Sequence, residues 1–188
     1  SAAFLVNWYF AWGGNIPQGN APGWAWRIGS SFNHQGYQNV MCAYALSQFD
    51  GLKPRGPTAV SDWQTSLQRQ LEFYRWLQSR DGPIAGGATN SWKGQYLEPP
   101  PDLPKFYGMA YDWSPVFLDP PSNDWVGFQV WSVQRVAEYY YVTGDPKAEL
   151  IMDRWAKWAM ANTTLKNDGS YLVPIAMRWS GAPSMSWD

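Results

Sequence analysis

Residues 125–161 read WVGFQVWSVQRVAEYYYVTGDPKAELIMDRWAKWAMA, and they carry the strongest structural signal in the chain. Apolar residues recur at intervals of three and four on both sides of the centre, which is the spacing of helices with one apolar face. Between them, Gly144 suits the residue that ends a helix, Asp145 is a typical N-cap and Pro146 suits the first helical position. Two helices joined by so tight a corner predict an antiparallel αα-hairpin.

Each helix of this hairpin has a predicted apolar stripe. The first helix is expected to be capped by Ser122 or Asn123. The stripes consist of Trp125, Phe128, Ser132, Val136 and Tyr139 on the first helix, and of Leu150 or Ile151, Trp155, Trp158 and Ala161 on the second.

Further helices are predicted upstream, at residues 3–12 and 37–49 and in a five-turn segment that ends at residues 81–83. Ser61 and Gln64 fit a capping box for the last of these. Its apolar stripe is Trp63, Leu67, Leu71, Tyr74 and Leu77.

The segments between these helices contain many Gly, Pro and small polar residues. Residues 13–36 and 82–122 are therefore predicted to be long loops, residues 167–169 a turn and residues 171–177 a short strand. No strand-helix-strand pattern of a parallel sheet occurs. The chain is thus predicted to be all-α, and repeated helical hairpins with long loops suggest an α/α toroid. A complete toroid needs far more than 188 residues, so the pattern favours part of a longer protein.

Composition excludes several classes of function. The net charge of −1 argues against a strongly basic nucleic-acid-binding protein, and no apolar run is long enough for a transmembrane helix. A single cysteine, Cys42, cannot form an internal disulfide and is predicted to be a buried small residue. A single histidine, His34, leaves little for a zinc site or a Ser-His-Asp triad.

Aromatic residues are the positive signal: 14 Trp, 11 Tyr and 8 Phe make up 18% of the chain. Tryptophan is seldom fully buried, because its N–H group needs a partner, so a surplus indicates a lined groove. Flat rings stack on sugars or on bases, and the near-neutral charge disfavours bases. An aromatic-rich core is the alternative interpretation.

The carboxylates do not reveal a catalytic pair from the sequence alone. Glycoside hydrolysis needs two carboxyl groups, one of them with a raised pKa. Glu72 and Glu138 lie in predicted helices and Glu149 lies in a first helical turn, whereas Glu98 lies in a loop and remains a candidate. Asp119 is either a calcium ligand or an ordinary turn residue.

A set of long motifs is distributed in order over nearly the whole chain. They are WYFAWGG (8–14), WAWRIG (24–29), GYQN (36–39), RQLEFYRWLQ (69–78), GGATNSW (86–92), FYGM (106–109), DPPSN (119–123) and GFQVWS (127–132). Together they resemble glycoside hydrolase family 48, the reducing-end processive cellulases.

This resemblance implies part of an (α/α)6 barrel in which a cellulose chain or cello-oligosaccharide runs through an aromatic tunnel. It implies processive cleavage from the reducing end with inversion, releasing mainly cellobiose. It also implies secretion, no cofactor for the chemistry, and an appended carbohydrate-binding module or dockerin outside this segment. Catalytic modules of the family are far longer, so residues 1–188 are expected to be their middle portion, truncated at both ends. The general acid Glu and the base Asp would lie before residue 1, and this segment alone would be inactive.

The resemblance also implies roles for individual residues. Tyr9 matches a tyrosine that helps to position the attacking water. Asp119 matches a ligand of a structural calcium whose other ligands would lie upstream. The residues that match tunnel-lining aromatics are Trp8, Tyr9, Trp24, Trp26, Tyr37, Trp125 and Trp131.

Some positions depart from the family pattern, and other functions stay open. Phe32 and Gln35 replace a His and a Phe that are common in the family, and Phe117 stands where Tyr is usual. The alternatives are a non-catalytic or degenerate sugar-binding module, a helical scaffold that binds Pro-rich or aromatic peptides, and a chitin-directed member of the same family.

Overall fold

The computed structural model describes residues 3–6, 32–90, 92, 97–113, 125–177 and 183. Helices dominate these residues, which confirms the prediction of a helix-rich chain. The α-helices described are α1 (Val40–Gln48), α2 (Ala59–Leu77), α3 (Gly127–Thr143) and α4 (Pro146–Ala161).

The αα-hairpin is formed by α3 and α4, as predicted. Gly144 adopts φ +66°, in the left-handed region, and its N–H donates to the Tyr140 carbonyl oxygen at 2.8 Å. The Asp145 carboxylate caps α4 by accepting from the N–H groups of Lys147 and Ala148. The Tyr139 phenol donates to Asp145 Oδ2 at 3.0 Å, so a side chain of α3 also fastens the cap of α4.

The apolar stripes of this hairpin are confirmed at their central positions and wrong at two others. Val136, Tyr139 and Ile151 are buried, and Trp155 packs against the core from a partly buried position. Trp125 and Ala161, at the two ends of the stripes, are exposed. Of the alternatives Leu150 and Ile151, Leu150 is exposed and Ile151 is buried in the core, so the prediction is confirmed for Ile151.

Two predicted helix starts are wrong. The N-cap position of α3 is Val126, without a side-chain hydrogen bond, whereas Ser122 and Asn123 lie outside the described residues. The N-cap position of α2 is Thr58, and Ser61 Oγ donates to the Thr58 carbonyl oxygen at 2.7 Å instead of capping. The turn before Thr58 already supplies helical backbone, since the Ala59 N–H donates to Gly56 O at 3.1 Å.

Helix α2 is the centre of the core. Its 19 residues bury Leu67, Leu71, Tyr74 and Leu77 on the predicted stripe, with Trp63 packed against it. The helix ends at Leu77, before the predicted stop at residues 81–83. The physical reason is that the next residue, Gln78, is extended and forms a β-bridge with Ile84.

A minor antiparallel sheet corrects the all-α prediction. Its strand order is β1-β2-β4-β3, and all four strands come from the two segments predicted to be loops, residues 13–36 and 82–122. The strands are β1 (Phe32–His34), β2 (Gly87–Thr89), β3 (Lys105–Phe106) and β4 (Met109–Asp112). Strands of two to four residues are too short for an alternating pattern to be recognised in the sequence.

The predicted helix over residues 3–12 is wrong where the structure describes it, at residues 3–6. Phe4 has a φ of +56°, which no right-handed helix allows. Val6 donates its N–H to Gln38 Oε1 at 3.0 Å and accepts from Gln38 Nε2 at 2.8 Å. The Gln38 amide thus binds this segment as a neighbouring strand would.

The C-terminal part of the described chain is a hairpin of β5 (Thr164–Leu165) and β6 (Tyr171–Leu172). Residues 167–169 form the predicted turn, closed by the Asp168 carboxylate, which accepts from the Ser170 N–H at 2.9 Å. The predicted strand over 171–177 is only two residues long, followed by a bridge from Ala176 to Trp125. This arm, residues 164–175, exposes Leu165, Tyr171, Leu172, Val173 and Ile175.

Two smaller findings concern Cys42 and the membrane. Cys42 is exposed in the first turn of α1, where its N–H donates to the capping Asn39 Oδ1, so its predicted burial is wrong. None of the helices described has the length and apolarity that crossing a membrane requires.

Candidate functional site

A group of aromatic side chains gathers where the end of β1 meets the start of α3. We call it the aromatic cluster, and it consists of His34, Tyr37, Trp125, Phe128 and Trp131. The sheet carries His34, the short 3₁₀ turn after it carries Tyr37, and α3 with its preceding residues carries the other three. Distant parts of the sequence therefore build one surface.

The rings of the cluster meet edge to face. Trp131 is central: its ring centroid lies 5.1 Å from Phe128, 5.6 Å from Trp125 and 6.1 Å from Tyr37. The planes of Trp125 and Trp131 stand at 85° to each other. Edge-to-face pairs at these distances are favourable because a positive ring edge meets a negative ring face.

His34 forms the buried floor of the cluster. Its ring lies 4.6 Å from that of Phe128 and 5.8 Å from that of Tyr37. The Gly36 N–H donates to His34 Nδ1 at 3.0 Å, so Nδ1 is the unprotonated nitrogen. This bond caps the turn that carries Tyr37. His34 is thus a structural support for the cluster.

Two glycines allow the rings to come this close. A Cβ on Gly36 would lie 2.5 Å from Phe128 Cδ1, and a Cβ on Gly127 would lie 2.1 Å from Trp125 Cζ2. Real Cβ contacts are essentially never this short, so any other residue displaces the ring. The indole of Trp125 therefore lies against the bare backbone at the start of α3.

The backbone around Trp125 is also fixed from the other side. Trp125 forms a β-bridge with Ala176, and the Val126 N–H donates to Ile175 O at 2.9 Å. The segment after β6 thereby holds the residues that lead into α3. The indole is positioned by backbone hydrogen bonds as well as by ring contacts.

Burial changes steeply across the cluster. His34 and Phe128 are buried, whereas Trp125 is 41% and Trp131 is 51% exposed. Indoles held in fixed positions while half open to solvent present a preformed apolar surface with an N–H group at its edge. Such a surface suits a flat ligand with C–H groups on its faces and hydroxyl groups around its rim.

A buried amide fixes the orientation of α3. Gln129 Oε1 accepts from the Ile84 N–H at 2.9 Å and from Trp155 Nε1 at 3.2 Å, and Gln129 Nε2 donates to the Ile84 carbonyl oxygen. Helix α3 is thereby fastened both to the segment before β2 and to α4. This positions Phe128 and Trp131, which lie within one helical turn of Gln129.

The glutamates considered for acid–base chemistry lie in other settings. Glu72 pairs with Arg69 at 2.8 Å, and Glu138 pairs with Arg135 at 2.7 Å. The hydrogen bond from Arg135 lowers the pKa of Glu138, the opposite of what a general acid needs. Glu98 is exposed. In the described ranges, no three His, Cys, Asp or Glu side chains are grouped to hold a metal ion.

The structure brings together three of the predicted lining residues, Tyr37, Trp125 and Trp131. Sequence reasoning missed the part played by Phe128, which it assigned only to a core stripe, and by His34, which it weighed only as a catalyst. The available signal was their spacing: Phe128 lies three residues after Trp125, and His34 lies three residues before Tyr37. The other predicted site residues lie outside the described residues: Trp8, Tyr9, Trp24, Trp26 and Asp119.

Comparison with known proteins finds several relatives that are about 50% identical to this chain. Exoglucanase B of Cellulomonas fimi is 53% identical over 189 residues, which cover 100% of this chain and 17% of that protein. Endoglucanase F of Ruminiclostridium cellulolyticum is 50% identical over 188 residues, 100% of this chain and 25% of that protein. The reducing-end cellulose 1,4-beta-cellobiosidase CelS of Acetivibrio thermocellus is 48% identical over 183 residues, 97% and 24% of the two chains.

The chain thus spans a quarter or less of the length of these relatives. The sequence profile of glycosyl hydrolase family 48 matches residues 1–188 of this chain. Because the family profile matches the chain along its whole length and these relatives have about 50% sequence identity to it, the chain belongs to glycosyl hydrolase family 48.

Proposed function

We propose that this chain is part of the catalytic domain of a cellulose-degrading glycoside hydrolase and that the aromatic cluster binds the glucan chain. The observation that carries the proposal is the cluster itself. Tyr37, Trp125 and Trp131 converge on one surface, and both indoles are fixed yet about half exposed. Exposed apolar surface that is rigidly built costs stability in water unless a ligand covers it.

Stacking explains how such a surface binds a polymer and still releases it. The faces of β-linked glucose rings carry C–H groups, which pack on indole faces. By analogy with bases, each stacked ring contributes about 1–3 kcal/mol. Several moderate contacts hold a chain while allowing it to slide from one register to the next, as processive cleavage requires.

The angle between the indoles adds orientation. The ring planes of Trp125 and Trp131 stand at 85° to each other. A sugar stacked on one indole therefore has the other indole standing beside its rim of hydroxyl groups. The two residues therefore supply a platform and a wall. Tyr37 extends the wall, with its ring at 71° to that of Trp131.

The mode of cleavage is proposed for the whole protein, of which this chain is a part. The names of the relatives include exoglucanase and reducing-end cellobiosidase, and these support processive cleavage from the reducing end. Inversion, cellobiose as product and catalytic carboxylates before residue 1 follow from the family resemblance. In this proposal the chain supplies binding surface and has no activity alone.

The remaining proposals concern the surroundings of the chain. Residues 1–188 would form the middle portion of an (α/α)6 barrel, and the αα-hairpin of α3 and α4 is the repeating unit that supports it. The whole protein would be secreted, with a carbohydrate-binding module or a dockerin attached. Trp8, Tyr9, Trp24 and Trp26 would line the same tunnel.

Asp119 is proposed as one ligand of a structural calcium, on the strength of the resemblance alone. A carboxylate oxygen is the ligand that Ca²⁺ prefers. In the full-length protein, chelation with EGTA should lower the melting temperature, and Asp119→Asn should reduce that difference. An unchanged melting temperature on chelation would contradict the proposal.

The test of the main proposal uses Trp131→Ala and Trp125→Ala in the full-length protein. Each variant should weaken cellohexaose binding by about 5- to 150-fold, the loss of one stacked ring. Release of cellobiose from crystalline cellulose should fall with it. Calorimetry measures the affinity, and chromatography of soluble products measures the cleavage.

Val130→Ala is the matched control, since Val130 is equally exposed on α3 and makes none of the ring contacts described for the cluster. If both tryptophan variants bind cellohexaose like the wild type, the binding role of the cluster is refuted. If the wild type binds and cleaves chito-oligosaccharides in preference to cello-oligosaccharides, the substrate class is wrong. Binding without any cleavage would favour a degenerate module.

A further inference from the structure

A second exposed aromatic residue, Tyr107, stands at the turn between β3 and β4. Phe106 pairs with Met109, so Tyr107 and Gly108 form a two-residue hairpin turn. Their φ angles are +47° and +85°, both in the left-handed region. This turn favours Asn or Asp followed by Gly, and a bulky tyrosine at its first position is strained.

Side chains of α2 hold this tyrosine in place. The Arg69 guanidinium carbon lies 3.7 Å from the centroid of the Tyr107 ring, and Arg69 Nη1 donates to the phenol oxygen. The phenol donates to Glu72 Oε2 at 2.9 Å, and Arg69 and Glu72 form an ion pair at 2.8 Å. The ring is therefore oriented by a cation at its face and a carboxylate at its hydroxyl group.

The phenol keeps its proton over a wide pH range. Desolvation, followed by the hydrogen bond to Glu72, raises the pKa of Tyr107 above its usual value. The Tyr107–Glu72 hydrogen bond thus persists at neutral and mildly alkaline pH. With its partners in place, Tyr107 is still 50% exposed.

This site is separate from the aromatic cluster. In the strand order β1-β2-β4-β3, the turn of Tyr107 lies on the edge pair, whereas Tyr37 follows β1 at the opposite edge. Three strand spacings separate the two edges, which is about 14 Å. The register also places the two at opposite ends of β4, since His34 aligns through Gly87 with Asp112, whereas Phe106 pairs with Met109. The two surfaces are therefore farther apart than one glucose ring can span.

We propose that Tyr107, with Arg69 on one face of its ring and Glu72 at its hydroxyl group, is a second carbohydrate-binding site that takes the pyranose rings of a β-glucan on the other face. The inference rests on the proposed function, because it assumes that a β-glucan is the substrate. A strained tyrosine is kept at a solvent-facing turn where Asn would fit without strain. The ring it presents is rigid and amphipathic, with one donor group and one acceptor group beside it.

The charges at this site favour a neutral sugar over other ligands. Arg69 and Glu72 cancel each other, so a phosphate or a nucleic acid gains no net attraction and meets a carboxylate. Hydroxyl groups of a sugar can accept from the guanidinium and donate to the carboxylate at the same time. A stacked ring with paired hydrogen bonds at its rim is what a pyranose needs.

The test is Tyr107→Asn in the full-length protein, with Tyr141→Asn as matched control. Asn suits the left-handed turn and removes the ring together with its hydrogen bonds to Arg69 and Glu72, whereas Tyr141 is an exposed tyrosine on α3 outside this site. We expect Tyr107→Asn to weaken retention in gels containing hydroxyethylcellulose and depletion on microcrystalline cellulose by about 5- to 150-fold. Tyr107→Phe should keep most of the binding, and Tyr141→Asn should match the wild type.

The possible results separate this inference from the proposed function. Wild-type binding by Tyr107→Asn, together with weakened binding by Trp131→Ala, would overturn the second site and leave the proposed function standing. A loss in Tyr107→Phe as large as in Tyr107→Asn would overturn stacking at this residue. A wild-type protein that neither binds nor cleaves these glucans would overturn both.

Discussion

Helix α2 and the arm at residues 164–175 contain similar apolar side chains in opposite surroundings. Leu71, Tyr74 and Leu77 on α2 are buried among the sheet and the neighbouring helices. Leu165 and Ile175 on the arm are about four-fifths exposed. Composition alone does not decide burial; the presence of a partner surface does. Within the described residues, the arm packs little of its apolar surface.

The aromatic cluster stands between these extremes and differs from the arm in how its exposure is built. Trp125 and Trp131 are about half exposed, yet a glycine, several ring contacts and backbone hydrogen bonds fix their positions. Leu165 and Ile175 have backbone partners, across β5–β6 and at the Val126 N–H, but the described part of the chain shows no ring contact to their side chains. We interpret the exposed side chains that are fixed in position, those of the aromatic cluster, as a ligand surface. We interpret the exposed apolar side chains of the arm as a surface that further protein covers.

The largest expected effect contrasts the core with the arm. In residues 1–188, Leu71→Ala should lower the free energy of unfolding by about 2–5 kcal/mol, because it leaves a cavity beside Tyr74. Leu172→Ala should change it by less than about 0.5 kcal/mol, as for an exposed site. Urea denaturation followed by circular dichroism measures both.

The same two variants, Leu71→Ala and Leu172→Ala, can be compared again in the full-length protein. If further protein covers the arm, Leu172→Ala should there cost more than about 1 kcal/mol, approaching the value for a buried leucine. An equally small effect in both proteins would show that the arm remains uncovered and would break the distinction drawn above.

An intermediate effect is expected from Gly127→Ala. Replacing a helical glycine by alanine ordinarily stabilises a helix by up to about 1 kcal/mol. Here the new Cβ would meet the Trp125 indole, so we expect a destabilisation of about 1–3 kcal/mol and weaker cellohexaose binding.

Gly108→Ala serves as the reference for this variant, because its Cβ meets no atom within 4 Å although its φ is positive. It should lose stability through backbone strain and keep the indole in place. Tryptophan fluorescence distinguishes the two variants. A Gly127→Ala variant that is more stable and binds normally would show that the indole position has no consequence.

The smallest effect concerns alkaline pH. Burial, followed by the hydrogen bond to Asp145, raises the pKa of Tyr139 to about 12. Above pH 10 the unfolded chain loses this proton and the folded chain keeps it, so stability should fall as the pH rises from 10 to about 12. We expect the loss to reach about 1 kcal/mol after allowance for solvent screening.

Tyr139→Phe should reduce this pH dependence in part, because burial also raises the pKa of Tyr111, which remains. At pH 7 the variant loses only its hydrogen bond to Asp145. Denaturation at pH 8 and pH 11 gives the comparison. An unchanged slope in the variant would mean that Tyr139 does not contribute to it.

The αα-hairpin was predictable because its signals are local. The apolar period, Gly144, Asp145 and Pro146 each act within one helical turn of their own position. The three corner residues hold in the structure, and the apolar period holds at its central positions. The capping-box prediction at Ser61 is wrong because that motif is also local. The turn before it already starts the helix, at Ala59.

The sheet and the arrangement of the site were not predictable from local patterns. Each strand is two to four residues long, and β1 pairs with a strand far along the chain. The aromatic residues Tyr37, Trp125 and Trp131 were identified from motif resemblance. Their edge-to-face arrangement depends on Gly36, Gly127 and the Gln129 amide, whose contacts arise only when the chain is folded.

The contact between Tyr37 and Trp131 also has a consequence for folding kinetics. The hairpin of α3 and α4 joins neighbours in sequence, and such local contacts form early and fast. The aromatic cluster joins the two halves of the chain and must await closure of a long loop, which costs entropy before any ring contact forms. We therefore expect a nascent chain to form its helices before the aromatic cluster.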